Sequence, residues 1–476
     1  MAFSRSRLAE TKTFMNINFK ELAEAFIRLE EELELHSLRI DGYPAWEGCR
    51  VTTFHQLLHR LGVTGQMHPD VAGIKRKSWT GRKLERLTLL TQDFWRAGSA
   101  DAVFLCHGRR KLQTDGRWKD VYSDDFAAVF GGNSVSLECS YPGGHRRPAH
   151  TNRLYYLDNM EWLVSVCRRF RQYTLHAEDK ARLAEIEARF NARFGIETNM
   201  AARIENHLIV RHHKKPLYRW LLKRINPKAI FICVAYGHEI LIEVCKELGI
   251  VVCELQHGTI EKYQMGYYYP ETPKPLDVSP DYLLTFGDYW SNLPHILPGT
   301  KKISIGFPYL DRESASVADV QKKDQILFIS QGAVGQKLSE MAAELAQSPA
   351  SRSKIIYKLH PNERSGWKEK YTCLLEAGVE VIDGDNPSLY HLLAESRKVV
   401  GVYSTAVFEA LRFGCAVYIA DLPGWEYMET LINSGAAVKV RRISEVEQSA
   451  GVLQTPSDYF FAAGWQGKFK SFADGL

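Results

Sequence analysis

The sequence contains no Cys-X-X-Cys pair, and its nine cysteines are scattered from Cys49 to Cys415. Ligands so dispersed predict neither a disulfide framework nor a structural zinc site, and several of these thiols (Cys233, Cys253, Cys415) sit in apolar runs where they act as small hydrophobes. No apolar run approaches the roughly 20 residues that a bilayer span requires. The longest, Ala229 to Tyr236 and Gly249 to Leu255, have the length of strands. The opening stretch MAFSRSRLAETKTF carries positive charge without an apolar centre, which predicts no secretory leader and a cytoplasmic location. Glycine (34) and proline (18) are neither enriched nor periodic, so a collagen-like or low-complexity chain is excluded. The glycine fingerprint GxGxxG is missing too, and with it the usual phosphate cradle of dinucleotide oxidoreductases. No DxD string stands in a suitable loop, so neither a metal nor another cofactor is expected; Asp383 and Asp385 of DGDN come nearest.

What is present is an ordinary globular composition: 476 residues, 45% hydrophobic and 25% charged. At roughly 100 to 200 residues per domain, that length predicts two or three domains. Lys plus Arg number 61 against 56 for Asp plus Glu, a net charge of +5, and no nucleic-acid motif accompanies it, so no nucleic-acid partner is expected. The cations are locally concentrated. Residues 72 to 96 interleave Lys75, Arg76, Lys77, Arg82, Lys83 and Arg86 with Trp79, Phe94, Trp95 and several leucines, and RHHKKPLYRWLLKR follows at 211 to 224. Such patches suit an anionic glycan or peripheral contact with the inner face of a membrane, while a solvated helix face explains either one alone.

The second half alternates short apolar strands with helical stretches: QILFIS (325 to 330), KIIYKL (354 to 359), VEVI (379 to 382), KVVGVY (398 to 403), CAVYIA (415 to 420) and AAVKV (436 to 440). Strands apolar on both faces and separated by helices predict a parallel sheet covered on both sides. We assign 324–450 to a Rossmann-like domain. An earlier alternation, AIFICVAY (229 to 236), VVCEL (251 to 255), YLLTF (282 to 286) and KISIGFP (302 to 308), with DAVFLC (101 to 106) upstream, places a first α/β domain with extra helices in 1–308. Leu157, Trp162, Leu163, Val166 and Phe170 predict a long helix over 157 to 190. Polar 309–323 reads as the linker, and the aromatic tail 451–476 is expected to pack back on the body. Two such domains would face each other across a cleft at the carboxyl ends of their strands.

Three strand ends of the second sheet carry phosphate-compatible chemistry. SQGAVG offers Ser330, Gln331 and Gly332 where a strand gives way to a helix whose amides can hold an anion. KLHPNE places His360 and Pro361 at the cleft, and YSTAVFEALRFG opens a helix with Ser404 and Thr405, with Glu409 one turn on. Each alone is equally a plain turn, a strand-end histidine or a helix cap. Their combination resembles the paired HP and serine/threonine motifs of bacterial glycosyltransferases of the GT-B fold that build capsule and lipopolysaccharide: capsular Kdo transferases, sialyl- and polysialyltransferases, and CDP-glycerol glycerophosphotransferases. The resemblance implies the GT-B fold, donor-binding roles for His360, Pro361, Ser404, Thr405 and Glu409, a CMP- or CDP-linked sugar as donor, and a glycan or lipid-linked glycan as acceptor.

In the first domain VVCELQHGTIEKYQMGYYYP is similar to the HG loop of the CDP-glycerol transferases, in which the histidine is the candidate base; Gln256 stands where they carry Trp, and Ile260 where they carry Pro. The segment GRRKLQTDGRWKDVYSDD fits the same group of surface-polysaccharide proteins. The Asp/Glu-Asp/Glu-Gly motif of the sialyltransferases is missing. His257 and Glu254 are therefore the two candidate bases, and strand alternation puts them on opposite faces. The leading expectation is a metal-independent glycosyltransferase. A nucleotide-sugar 2-epimerase on the same fold and a non-catalytic glycan-binding assembly subunit are the alternatives.

Overall fold

The structure, a computed structural model, describes residues 18–63, 89–139, 144–170, 173–270, 275–349, 351–448 and 456–476. The basic stretch 64–88 lies outside the described residues.

The first domain is organised by seven parallel strands: β1 (Ala102–Cys106), β2 (Ser134–Glu138), β3 (Leu154–Tyr156), β4 (Ala229–Cys233), β5 (Val251–Leu255), β6 (Tyr282–Thr285) and β7 (Lys301–Ser304). Their spatial order is β7-β6-β5-β4-β1-β2-β3. The second domain has six: β8 (Lys323–Ile329), β9 (Lys354–Lys358), β10 (Glu380–Ile382), β11 (Ser396–Gly401), β12 (Ala416–Ala420) and β13 (Val438–Val440), in the order β10-β9-β8-β11-β12-β13. All pairings in both sheets are parallel. Counted within its own domain, each sheet begins 3-2-1-4-5-6, the doubly wound order in which ligands bind outside the strand ends where the winding reverses. That reversal falls between β1 and β4 in the first domain and between β8 and β11 in the second. The molecule is thus two Rossmann-like domains, the GT-B architecture.

The central strands β1 and β4 are buried throughout on both faces, which accounts for their continuous apolar text. β2 was invisible to that criterion because SVSLE alternates serine and glutamate with its apolar residues, yet every position is buried. Its Glu138 is accommodated by Arg110, whose Nε donates at 2.8 Å, and by His145. The helix expected over 157 to 190 is two, Asp158–Phe170 and Ala177–Phe194. The segment read as a linker starts as a helix, Pro308–Ser316: Pro308 occupies the first turn, where its missing N–H costs nothing, and Tyr309 and Leu310 are buried, Tyr309 with its ring 5.7 Å from Tyr390.

The basic run at 211 to 224 lies on the helix Met200–Ile225. Its cations are matched by carboxylates: Arg211 and Lys215 pair with Glu243, Lys214 with Glu161, and Arg219 with Glu247. Four of the run's six cations are thus engaged in intramolecular ion pairs, in keeping with a helix face rather than with a free anion-binding patch. No helix among the described residues is long and apolar enough to cross a membrane. The helix Trp465–Asp474 docks its aromatics on the first domain, with the Phe469 ring 4.5 Å from Phe126 and 5.5 Å from Phe231.

Candidate active site

The strand ends of the two sheets approach one another next to their winding reversals. A Cβ placed on Gly258, in the loop after β5, would lie 3.5 Å from Thr405 Oγ1, in the loop after β11. The QHG turn of the first domain and the serine/threonine turn of the second therefore meet where the two domains face each other.

On the second-domain wall, Ser404 caps the helix Thr405–Arg412, its Oγ accepting from Ala406 N at 3.3 Å, which leaves Thr405 at the helix mouth. His360 is exposed, and its Nδ1 accepts from Asn362 N at 3.3 Å. That bond assigns the ring proton to Nε2 in the neutral imidazole. Burial of the site and the nearby Arg109 and Arg364 hold the His360 pKa below the usual histidine value, so the ring is a neutral N–H donor at neutral pH. Pro361 opens the short turn Pro361–Glu363 and fixes its direction.

Ser330 does not face the cleft. It is 2% exposed, and its Oγ donates to Glu363 Oε1 at 2.9 Å and meets Tyr357 Oη at 2.9 Å. Glu363 Oε2 accepts from His360 N at 2.9 Å, so this carboxylate ties the SQG turn to the HP turn. A Cβ on Gly335 would fall 2.1 Å from Glu363 Oε1, so only glycine allows the helix Gly335–Gln347 to start this close. The Gln331 Oε1 accepts from Tyr403 N at 2.9 Å, binding β8's end to β11's. The Ser330 and Gln331 side chains thus tie neighbouring turns together, while Gly332 is exposed in the turn. Glu409 is buried, and that burial raises its pKa against the pull of Arg109. Asp383 accepts from Trp367 Nε1 at 3.0 Å, and Asp385 pairs with Arg364 at 2.5 Å.

On the first-domain wall, Glu254 and His257 are joined rather than opposed. Glu254 is 0% exposed; its Oε1 accepts from Tyr267 Oη at 2.6 Å and from Ala235 N at 3.0 Å. The Tyr267 oxygen stands 3.4 Å from His257 Nδ1. With the tyrosine proton directed to Glu254, its oxygen is left to accept from Nδ1–H, and His257 Nε2 keeps a free lone pair. Burial, then His107 and Arg109, push the His257 pKa down to about 3, so the ring is neutral. Burial raises the Glu254 pKa to about 7. Glu254 is thus fully buried behind Tyr267, and of the two only His257 is partly exposed. Gln256, on the Glu254 face, holds the loop: Nε2 donates to Gly258 O at 2.8 Å, and Oε1 accepts from Phe286 N at 2.7 Å.

Two residues that sequence reasoning did not single out stand at the first winding reversal. His107, directly after β1, stacks its ring 5.5 Å from that of His257, and its Nδ1 is buried without a hydrogen-bond partner. Arg109 follows, its Nη1 donating to Tyr122 Oη at 2.7 Å. The signal lay in DAVFLCHGRR, where a strand runs into histidine, glycine and two arginines. Only the strand order distinguishes that end as a place for ligands.

No family model matches the chain, and no curated protein matches it. Among solved structures it is similar to a UDP-GlcNAc 2-epimerase from Methanocaldococcus jannaschii, at 10% identity over 79% of this chain and 98% of that one, with a TM-score of 0.44. A UDP-GlcNAc 2-epimerase from Neisseria meningitidis matches at 12% identity over 79% and 98%, TM-score 0.39. The plant protein UGT89C1 of Arabidopsis thaliana matches at 11% over 78% and 93%, TM-score 0.40. The assignment of the architecture rests on the strand order and the facing strand ends of this chain.

Proposed function

We propose that this protein is a glycosyltransferase that moves a sugar from a nucleotide-activated donor, held by the second domain, to a glycan or lipid-linked glycan held by the first. The observation that carries the reading is the meeting of the QHG turn with the serine/threonine helix mouth across the cleft, Gly258 against Thr405. It sets a neutral imidazole with a free lone pair opposite a helix N-terminus, and transfer needs both: a group to take the acceptor's proton and dipoles to steady the departing phosphate. In this reading His257 is the base, Tyr267 and Glu254 position it, and the Thr405 amide and His360 Nε2–H hold the donor phosphate. The reading needs no metal at the phosphate. A CMP- or CDP-linked sugar is favoured because the KLHPNE and YSTAVFEALRFG pair resembles that of cytidine-nucleotide transferases. Capsule or lipopolysaccharide glycan is the acceptor class the same resemblance suggests.

The test is a thermal shift against CMP, CDP, UDP and GDP. A ligand at 100 times its dissociation constant stabilises by about 2.7 kcal/mol. A cytidine nucleotide should give the largest shift, and His360→Ala, at an exposed position, should remove it while leaving the unliganded melting temperature unchanged. An undiminished shift in that variant sinks the donor-site assignment. Conversion of a nucleotide sugar to its 2-epimer without any acceptor would replace the transferase reading with the epimerase one.

A further inference from the structure

The segment GRRKLQTDGRWKDVYSDD has no role in the reading above, yet it opens at the first domain's winding reversal. Gly108 adopts a left-handed backbone (φ +80°) directly after β1 and His107. The two arginines that follow have opposite fates. Arg110 is buried, with Glu138 at its Nε and Nη2 and Asp124 3.7 Å from Nη1. Arg109 is exposed, and its guanidinium is steadied by Tyr122, through the Nη1 hydrogen bond and by lying 5.8 Å from the ring centroid, and by the charge of Glu409 across the domain boundary. Tyr122 is itself fixed, stacked at 13° on Phe307 with centroids 5.8 Å apart. Two residues on, exposed Lys111 holds its ammonium 5.3 Å from the Tyr309 ring centroid. Among the described residues neither cation has a carboxylate within 4.0 Å, although most lysines and arginines around them are paired.

Both cations project toward the second domain. Arg109 acts electrostatically on His360 and Glu409, and Lys111 on Lys358, Asp385 and Glu409. Opposite them, Arg364 Nε is buried without a partner, and Lys358 is buried at the end of β9. Two exposed cations held against aromatic rings of one domain, facing Arg364 and Lys358 of the other, concentrate positive charge where it would attract an anion entering between the domains.

We propose that Arg109, assisted by Lys111, binds the donor's phosphate from the first domain and is a catalytic residue for its departure. The proposal rests on the transferase reading and adds to it a ligand that bridges the two domains. In the step, the bond between the anomeric carbon and the phosphate oxygen breaks with its electron pair passing to that oxygen. The acceptor oxygen bonds to the carbon, and its proton goes to His257 Nε2. Arg109 donates hydrogen bonds to the oxygen that gains charge and transfers no proton. The phosphate is then held by Arg109 on one side and by His360 and the Thr405 helix mouth on the other, so the bound nucleotide bridges the two domains.

The experiment measures the affinity of wild type, Arg109→Ala, Arg109→Lys and Lys111→Ala for CMP and CDP, with cytidine as the phosphate-free control, at low and high salt. Arg109→Ala should bind both nucleotides at least tenfold more weakly, leave cytidine binding unchanged and flatten the salt dependence. Lys111→Ala should weaken nucleotide binding about threefold, and Arg109→Lys should retain more affinity than Arg109→Ala. With transfer measured on the same preparations, Arg109→Ala should lower kcat as well as raise donor KM. Wild-type nucleotide affinity in both Arg109→Ala and Lys111→Ala overturns the proposal while the transferase reading stands. Failure of the wild type to bind CMP, CDP, UDP or GDP overturns both. If Arg109→Ala does not fold, Arg109→Lys and Lys111→Ala decide on the same readouts.

Discussion

The two winding reversals are built alike and finished differently. In the second domain one carboxylate gathers the loops: Glu363 receives Ser330, Tyr371 and the His360 amide, while Gln331 receives the Tyr403 amide and Arg364 Nε is left buried without a partner. In the first domain capacity is left over, at His107 Nδ1 and at Glu254 Oε2, both buried without partners. A shared acceptor fixes a surface that must present dipoles in one geometry, whereas unmet hydrogen-bonding capacity is costly in a folded protein and is retained where a ligand or a proton will use it. The contrast is between a rigid seat and a reactive wall.

The most damaging way to disturb the seat is Glu363→Ala. It leaves Ser330, Tyr371 and the His360 amide without their shared acceptor in a buried place, so we expect a loss of about 3 kcal/mol in urea unfolding, together with the nucleotide-induced thermal shift. His257→Asn addresses the reactive wall. It keeps size and one hydrogen bond but cannot take a proton, so turnover should fall roughly 100-fold with donor affinity and melting temperature nearly intact. Near wild-type turnover in a stable His257→Asn protein would remove the base from this side of the cleft.

Tyr267→Phe cuts the link between Glu254 and His257, and a fall of about tenfold in turnover is expected, the size of one lost hydrogen bond to a charged group. Its pH profile carries a further signature. Glu254 titrates at about 7, and its ionised form accepts the tyrosine hydrogen bond more strongly than the acid does, so the wild-type rate should rise with pH through about 7 and the variant's should not. His257 itself, at about 3, contributes no inflection between pH 5 and 8.

A further effect is on stability. Burial raises the Glu261 pKa from its ordinary 4.5 to about 8, and Tyr289 donates to its carboxylate. A carboxyl whose folded pKa is raised binds more protons folded than unfolded. Its contribution is therefore complete below about 4.5 and is lost as pH rises toward 8. Wild-type melting temperature should decline over that window, and Glu261→Gln, which cannot ionise, should flatten the decline. An identical slope in the variant would assign the pH dependence to Glu239 and Glu254, whose pKa values are also raised to about 7.

The amino-acid text by itself determined the parallel strands of the second half and the pairing of HP with the serine/threonine turn, because strands buried on both faces must be apolar throughout and turns between strand and helix use few residue types. It also brought out β1 and β4, as DAVFLC and AIFICVAY, by the same rule. It could not determine β2, whose buried Glu138 is tolerable only beside Arg110 and His145, partners 28 and 7 residues away. Strand alternation separated Glu254 from His257, and Tyr267, brought back by the loop after them, rejoined the two through a single hydroxyl. Ser330 was offered to the ligand and taken by Glu363, since a hydroxyl's partner depends on what folds over it. Only the tertiary structure distinguished Arg109 from Arg110. Adjacent and chemically identical in the sequence, one found carboxylates inside its own domain, and the other was left charged and unpaired, facing the domain opposite.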